Sequence, residues 1–324
     1  MINPPNLSQI RSAQEALKGR IVATPTLTLN SARISGYFPA QASVHMKMEI
    51  FQQAGSFKAR GVLLAIDALN DAEREAGVTG VSAGNHALAV SWGARNAGLS
   101  AKVVMPRSAD PSRVAGCKAL GAEVILTENV AESFDTVDRL VREEGRTMLH
   151  PFESPFMTLG AATCGLEFIE SRPELDVVLV PVGGGGFISG VSTGVKLGQP
   201  RCEVIGIEPY GADSMWRSFS SGETVTLDKV DTIADSLGAP MTLPNSLAIT
   251  RANVTEIVRV HDHEMREMMK ILFDALKLVA EPACAITTAA ACGPLRERLQ
   301  GKQIGVIACG SNISLEKFQR LITG

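Results

Sequence analysis

The sequence predicts an α/β fold made of two α/β domains with mostly parallel sheets. Three observations carry that prediction. Short apolar runs alternate with helix-period segments along most of the chain. Two of the runs, 176–182 and 302–309, are almost continuously hydrophobic, as strands covered on both faces are. A glycine-rich stretch, 183–186, follows the first of them where a strand would turn into a helix.

Taken in order, "KVVM" (102–105), "AEVIL" (122–126), "DVVLVPV" (176–182), "CEVIGIE" (202–208) and "KQIGVIAC" (302–309) read as strands. Helical stretches lie among them: "GNHALAVSWGARNAG", "PSRVAGCKALG", "SFDTVDRLVREEG" and "EMREMMKILFDALKLV". The uncharged 19 residues from Val177 to Val195 approach the length of a membrane span. Pro181 and four consecutive glycines break any continuous helix there, so the segment reads as strand, loop and helix. Residues 76–150 carry their own alternating set and predict a small inserted α/β domain; 1–75 with 151–324 would form the large domain. A site is then expected between the two, at the carboxyl ends of strands.

The bulk numbers narrow the function. The chain has 324 residues, 45% hydrophobic and 20% charged, enough to bury a core. Net charge is −3 with both signs interspersed, so neither a nucleic-acid stripe nor an acidic arm is expected. Six cysteines, at 117, 164, 202, 284, 292 and 309, include no CxxC pair. That argues against zinc ribbons and thioredoxin-type sites and for a reducing, cytoplasmic compartment. "MINPPNLSQI" has neither a basic nor an apolar signal region, so no signal peptide is expected.

Five stretches bear on chemistry. In "QQAGSFKARG" (52–61), Lys58 sits in a glycine-flanked, otherwise nearly uncharged loop. The plain reading is a solvated lysine near a helix start; the sharp one is a lysine that forms a Schiff base. "PVGGGGFISG" (181–190) follows a strand and opens a helix, so its N–H groups suit a phosphate. The G-x-G-x-x-G register fails at every start, which excludes a dinucleotide fingerprint; a tight turn without ligand stays open. "SAGNHALAV" (82–90) could offer N–H groups to a carboxylate, though alone it reads as a helix cap. Cys309 in "GVIACGSNIS" reads as a small buried hydrophobe unless a partner engages it. "HDHE" (261–264) lacks i, i+4 ligand spacing, so Asp262 is expected as an N-cap with Glu264 in the first turn.

Together, "GSFKARG", "SAGNH", "PVGGGG" and "CGSN" resemble, in order and spacing, the fold-type II (tryptophan synthase β-like) pyridoxal-phosphate (PLP) enzymes. The serine/threonine dehydratase and serine racemase group is the nearest match, and "HPFESP", "EPYGAD", "TIADSLG" and "AEPACA" follow its pattern too. The resemblance covers nearly the whole chain and implies PLP in the cleft between the domains. Lys58 would hold it as a Schiff base, with Phe57 packed against it. Gly183, Gly184, Gly185 and Gly186 would cradle its phosphate, and Asn85 would bond its 3-hydroxyl. Ser82, Ala83, Gly84, Asn85 and His86 would hold the substrate carboxylate, largely through backbone N–H groups. Cys309 would face the pyridine nitrogen, where a neutral thiol makes a weaker electron sink than a carboxylate and favours β-elimination.

The implied reaction is β-elimination from an L-β-hydroxy-α-amino acid. Lys58 takes the Cα proton, the β-hydroxyl leaves, and the released enamine goes on to a 2-oxo acid and ammonia. The alternatives are a racemase or β-replacement enzyme on the same scaffold, or a non-catalytic ligand-binding protein. Several departures sharpen the choice. Ala83 stands where racemases carry a second, proton-bearing serine. Ser214 replaces the last carboxylate of the group's cation site (Glu208, Ala212, Ser214), which weakens it, so no metal is expected. Leu88, "GAAT" (160–163), Phe152, Phe156 and Met157 suggest a less polar pocket, and "AESFDT" (131–136) offers no arginine for a second substrate carboxylate. Threonine and phenylserine both fit; packing drift without functional meaning is the alternative. Only 12 residues follow Asn312, so no C-terminal regulatory domain is expected. The resemblance further implies a homo-oligomer, a dimer or tetramer, with no nucleic-acid or membrane partner.

Overall fold

The computed structural model describes residues 3–323. Its strands form two sheets. The larger contains β1 (Thr26–Thr28), β2 (Ser43–Lys47), β7 (Val177–Pro181), β8 (Glu203–Pro209), β9 (Glu256–Val260) and β10 (Gln303–Ile307). Its order is β1-β2-β10-β7-β8-β9, parallel except for β1 at the edge. The smaller contains β3 (Val78–Val81), β4 (Ala101–Pro106), β5 (Glu123–Thr127) and β6 (Thr147–Met148), all parallel in the order β5-β4-β3-β6.

Burial explains the apolar runs. Every residue of β7 is buried, because helices cover both faces of the central strands. The five strands missing from the sequence reading are β1, β2, β3, β6 and β9. Each is short or mixes polar residues into the run, such as Thr79 and Gly80 in "VTGV"; non-local pairing, more than local preference, makes them strands.

Two helix starts differ from expectation. The helix expected from Ser133 begins at Val130, because Asn129 accepts the N–H of Glu132 at 2.9 Å. His261, in place of the expected Asp262, is the N-cap of Asp262–Leu276. Glu264 accepts the His261 N–H at 2.7 Å, while the Asp262 carboxylate accepts from Thr232 Oγ1 and Ile233 N. A neighbouring loop has claimed the expected cap.

The Pro155–Ser171 helix lies against Gly186–Gly198 at close range. A Cβ on Gly165 would stand 2.3 Å from the Val191 carbonyl oxygen, so only glycine permits the crossing. Gly160 meets the Lys58–Asp67 helix similarly, 2.4 Å from Gly61 N. The "GAAT" stretch is therefore a helix-packing surface rather than a pocket wall. Met157 packs on Gly61, Phe156 joins the same core, and Leu88 packs toward Gly116. None of the three lines the cleft, which corrects the expectation that they shape it.

Behind the cleft runs a buried charge network. Arg60, fully buried, bonds Glu49 through Nε at 2.9 Å and Nη2 at 2.8 Å. It also bonds Glu167 through both Nη atoms at 2.8 Å. Lys47 reaches Glu167 at 3.0 Å. Burial pushes both carboxyls up, but the Arg60 guanidinium more than offsets it and holds them below the usual range.

Candidate active site

Four chain segments meet at strand carboxyl ends, where α/β sheets collect ligands. Ser82–Gly84 follow β3, Gly183–Gly186 follow β7, Cys309 follows β10, and Lys58 opens the Lys58–Asp67 helix. The residues expected to hold the cofactor and the substrate carboxylate line one cleft: Phe57, Lys58, Ser82 to His86, Gly183 to Gly186, and Cys309.

The loop before Lys58 is aimed by the segment leaving β10. Ser56 bridges to Gly310, Ser311 N donates to Gly55 O at 3.1 Å, and Phe57 N donates to Cys309 O at 3.3 Å. Asn312 Nδ2 donates to Ala54 O at 2.8 Å. Ala54 and Gly55 both take positive φ, 56° and 69°, which turns the chain into the helix. An alanine in that region costs about 1 kcal/mol, a strain that the surrounding bonds sustain.

Lys58 keeps some surface in the cleft, yet its amine has no carboxylate partner and donates to the Pro151 carbonyl. Burial pulls its pKa down to about 8, and the Cys309 sulfur raises it slightly. A usable fraction is therefore the neutral amine at physiological pH. Burial pushes the Cys309 thiol well up, with Cys284 and Glu281 adding to it, so it stays neutral. Its S–H donates to Ala283 O at 3.4 Å.

The glycine loop faces Lys58. Gly185 holds φ +97° and caps Gly186–Gly198. A Cβ on Gly184 would lie 2.4 Å from the Phe152 ring, and one on Gly186 would lie 2.5 Å from Phe152 O. Four bare backbone units at a helix N-terminus thus fit a phosphate. An amine with no carboxylate partner fits an aldehyde.

Several groups escaped the sequence reading. Arg113 reaches from the Pro111–Ala119 helix to Glu281 at 3.0 Å and Asp235 at 2.9 Å. Glu281 also accepts from Asn85 Nδ2 at 2.6 Å, and Asn85 Oδ1 accepts from Asn312 at 2.7 Å. Burial raises Glu281 despite the guanidinium. The side chain of Asn85, expected to meet a cofactor hydroxyl, is thus already oriented by two protein partners. "TIADSLG" and "AEPACA" contain Asp235 and Glu281; as motifs they were the available signal.

At the expected weak cation position, Glu208 accepts from Met215 N and Trp216 N at 2.9 and 2.7 Å. Asp213 is taken by Arg217 and Arg259, each at 2.8 Å. Ser214 Oγ accepts from Thr242 Oγ1 at 3.2 Å. Each of these side-chain oxygens is thus engaged by a protein donor.

His86 gives a pH prediction. Its Nε2 bonds Leu149 O at 2.7 Å and its buried Nδ1 has no partner. Burial, helped by Lys58, pulls its pKa from 6.5 down to about 3. Between those values the unfolded chain binds the extra proton, so stability is present above pH 6.5 and drains as pH falls. Unfolding free energies measured from pH 4 to 6 should fall more steeply for the native protein than for His86→Asn, by about 1.4 kcal/mol per pH unit. Equal slopes would mean that His86 already ionises freely in the fold.

Fold and site together define a two-sheet α/β protein whose cleft brings a half-buried lysine amine and a glycine loop at a helix N-terminus together, a setting that fits an anionic aldehyde cofactor. Residues 19–310 match the family described as pyridoxal-phosphate dependent enzyme, and the chain belongs to that family. It is 47% identical over 317 residues to a phenylserine dehydratase of Ralstonia pickettii, covering 98% of this chain and 96% of that one. A serine racemase of Schizosaccharomyces pombe is 34% identical, with 98% of each chain covered. The solved structure of maize serine racemase superposes with a TM-score of 0.91 at 32% identity, covering 98% of this chain and 97% of that one. Among the described residues no helix is long and apolar enough to cross a membrane.

Proposed function

We propose that this enzyme removes water from an L-β-hydroxy-α-amino acid to give a 2-oxo acid and ammonia. The observation that carries the reading is the Lys58 amine, without an anionic partner, set between the glycine loop and a neutral Cys309 thiol. In this reading Lys58 holds PLP covalently at rest, and the N–H groups of Gly183–Gly186 hold its phosphate. PLP, when bound, supplies an electron sink for the pair left at Cα.

The chain's own residues do the rest. Backbone N–H groups of Ser82–His86, at the start of Asn85–Ala97, hold the substrate carboxylate. Neutral Lys58, displaced by the substrate amine, takes the Cα proton. As the ammonium it can return that proton to the departing β-hydroxyl, so H and OH leave as water. The enamine would leave as Lys58 resumes its place; it then tautomerises to an imine and takes up water, which releases ammonia. Ala83 carries no proton for the opposite face, which disfavours racemisation. The uncharged Cys309 thiol would offer the cofactor no carboxylate to strengthen its electron sink, which favours β-departure.

Six free cysteines support a reducing, cytoplasmic setting. A homo-oligomer, dimer or tetramer, is also proposed, on the resemblance alone. The test of the reaction is release of 2-oxo acid and ammonia in equal amounts from L-serine, L-threonine and L-threo-phenylserine. Interconversion of enantiomers without ammonia would replace the lyase by a racemase.

A further inference from the structure

We infer that the N-terminal end of the Val130–Glu144 helix selects the β-substituent of the substrate, and that Val130 and Phe134, with Phe152, accept a flat apolar group such as a phenyl ring. This deepens the β-elimination reading and rests on it.

The geometry begins with the cap. Asn129 fixes the start of this helix, which puts Val130 and Phe134, four residues apart, on one face. Both line the cleft, and Val130 leaves 41% of its surface exposed. The Phe134 ring lies 6.3 Å from that of His150, which meets Phe152 edge-on at 4.7 Å. Phe134 and Phe152 thus face the cleft, and the His150 ring, which is not part of the lining, links them at aromatic contact distances.

Polar alternatives on that side are closed. Ser133 Oγ lies 2.5 Å from Thr127 Oγ1 and donates to Asn129 O at 2.9 Å. Asp235 is engaged by Arg113 at 2.9 Å and Lys317 at 2.6 Å. Among the described residues that line the cleft, Lys58 is the single lysine or arginine, and the proposed reaction uses it. A substrate with a second carboxylate would find no free cation, whereas an aromatic one would cover apolar surface now open to water.

The test uses the PLP-loaded enzyme with Phe134→Ala and the bulkier control Phe134→Leu. The ratio of kcat/KM for L-threo-phenylserine to that for L-threonine should fall roughly 10- to 100-fold in Phe134→Ala and less in Phe134→Leu. A second readout needs no turnover: perturbation of the cofactor absorption band by L-phenylalanine and by L-2-aminobutyrate. The preference for L-phenylalanine should drop in the same order. Parallel losses on both substrates and both ligands, or unchanged ratios, overturn the assignment. Should the native enzyme bind L-phenylalanine selectively through Phe134 yet release no 2-oxo acid, the elimination reading fails while the aromatic pocket stands.

Discussion

Lys58→Ala is expected to leave a folded protein that cannot hold PLP covalently. The native protein should be yellow, and borohydride should bleach it and fix the cofactor to the chain; the variant should retain no cofactor after reduction and denaturation. Elimination should fall by at least about 10⁴-fold, because in the proposed reaction one side chain supplies both the covalent anchor and the Cα base. The environment described above makes the residue suited to both. Burial brings its pKa to about 8, and no carboxylate quenches it. A lysine in solvent, near the ordinary value of about 10.4, would be almost wholly protonated at pH 7. Borohydride-stable labelling of the variant at another lysine would take Lys58 out of this role.

Arg60→Met should cost the most stability, about 3–5 kcal/mol. The arginine is buried with Glu49, and its removal leaves that carboxylate without its cation and takes a paired bond from Glu167. Lys47 would still meet Glu167, but Glu49 would keep only the 2.5 Å bond from Thr24 Oγ1. Chemical denaturation of the apoenzyme measures the loss. A double variant, Glu49→Gln, Arg60→Met, should recover part of it, since the Glu167 that remains is still paired with Lys47 at 3.0 Å. Arg60 lies two residues beyond Lys58 on the same helix, so the network also anchors the helix that carries the amine. A single-variant loss below about 1 kcal/mol would mean that water reaches the stranded carboxylate.

Much of the site was legible because its chemistry is local. Lys58, the glycine run and the turn at 82–86 each announce themselves within ten residues, and the fold rules place such turns at strand ends. The pocket wall was misread for the opposite reason. Phe156 and Met157 sit beside Phe152 in sequence, but the Pro155–Ser171 helix carries them onto Gly61 and its surroundings. Phe134, in a stretch read only for its lack of arginine, lines the cleft instead. Helix rotation decides which side chain faces a cavity, and that rotation follows from packing against distant partners.

By itself the sequence determined the alternation of strands and helices, the lysine amine, the run of four glycines before a helix and the absence of an ionisable group at position 83. Those properties belong to residue types and short spacings. Tertiary structure alone decided that Arg113, Asp235 and Glu281 meet, that Glu281 and Asn312 orient Asn85, and that burial strips Lys58 of water. Such effects depend on the local dielectric and on contacts between segments more than a hundred residues apart, neither of which a linear pattern encodes.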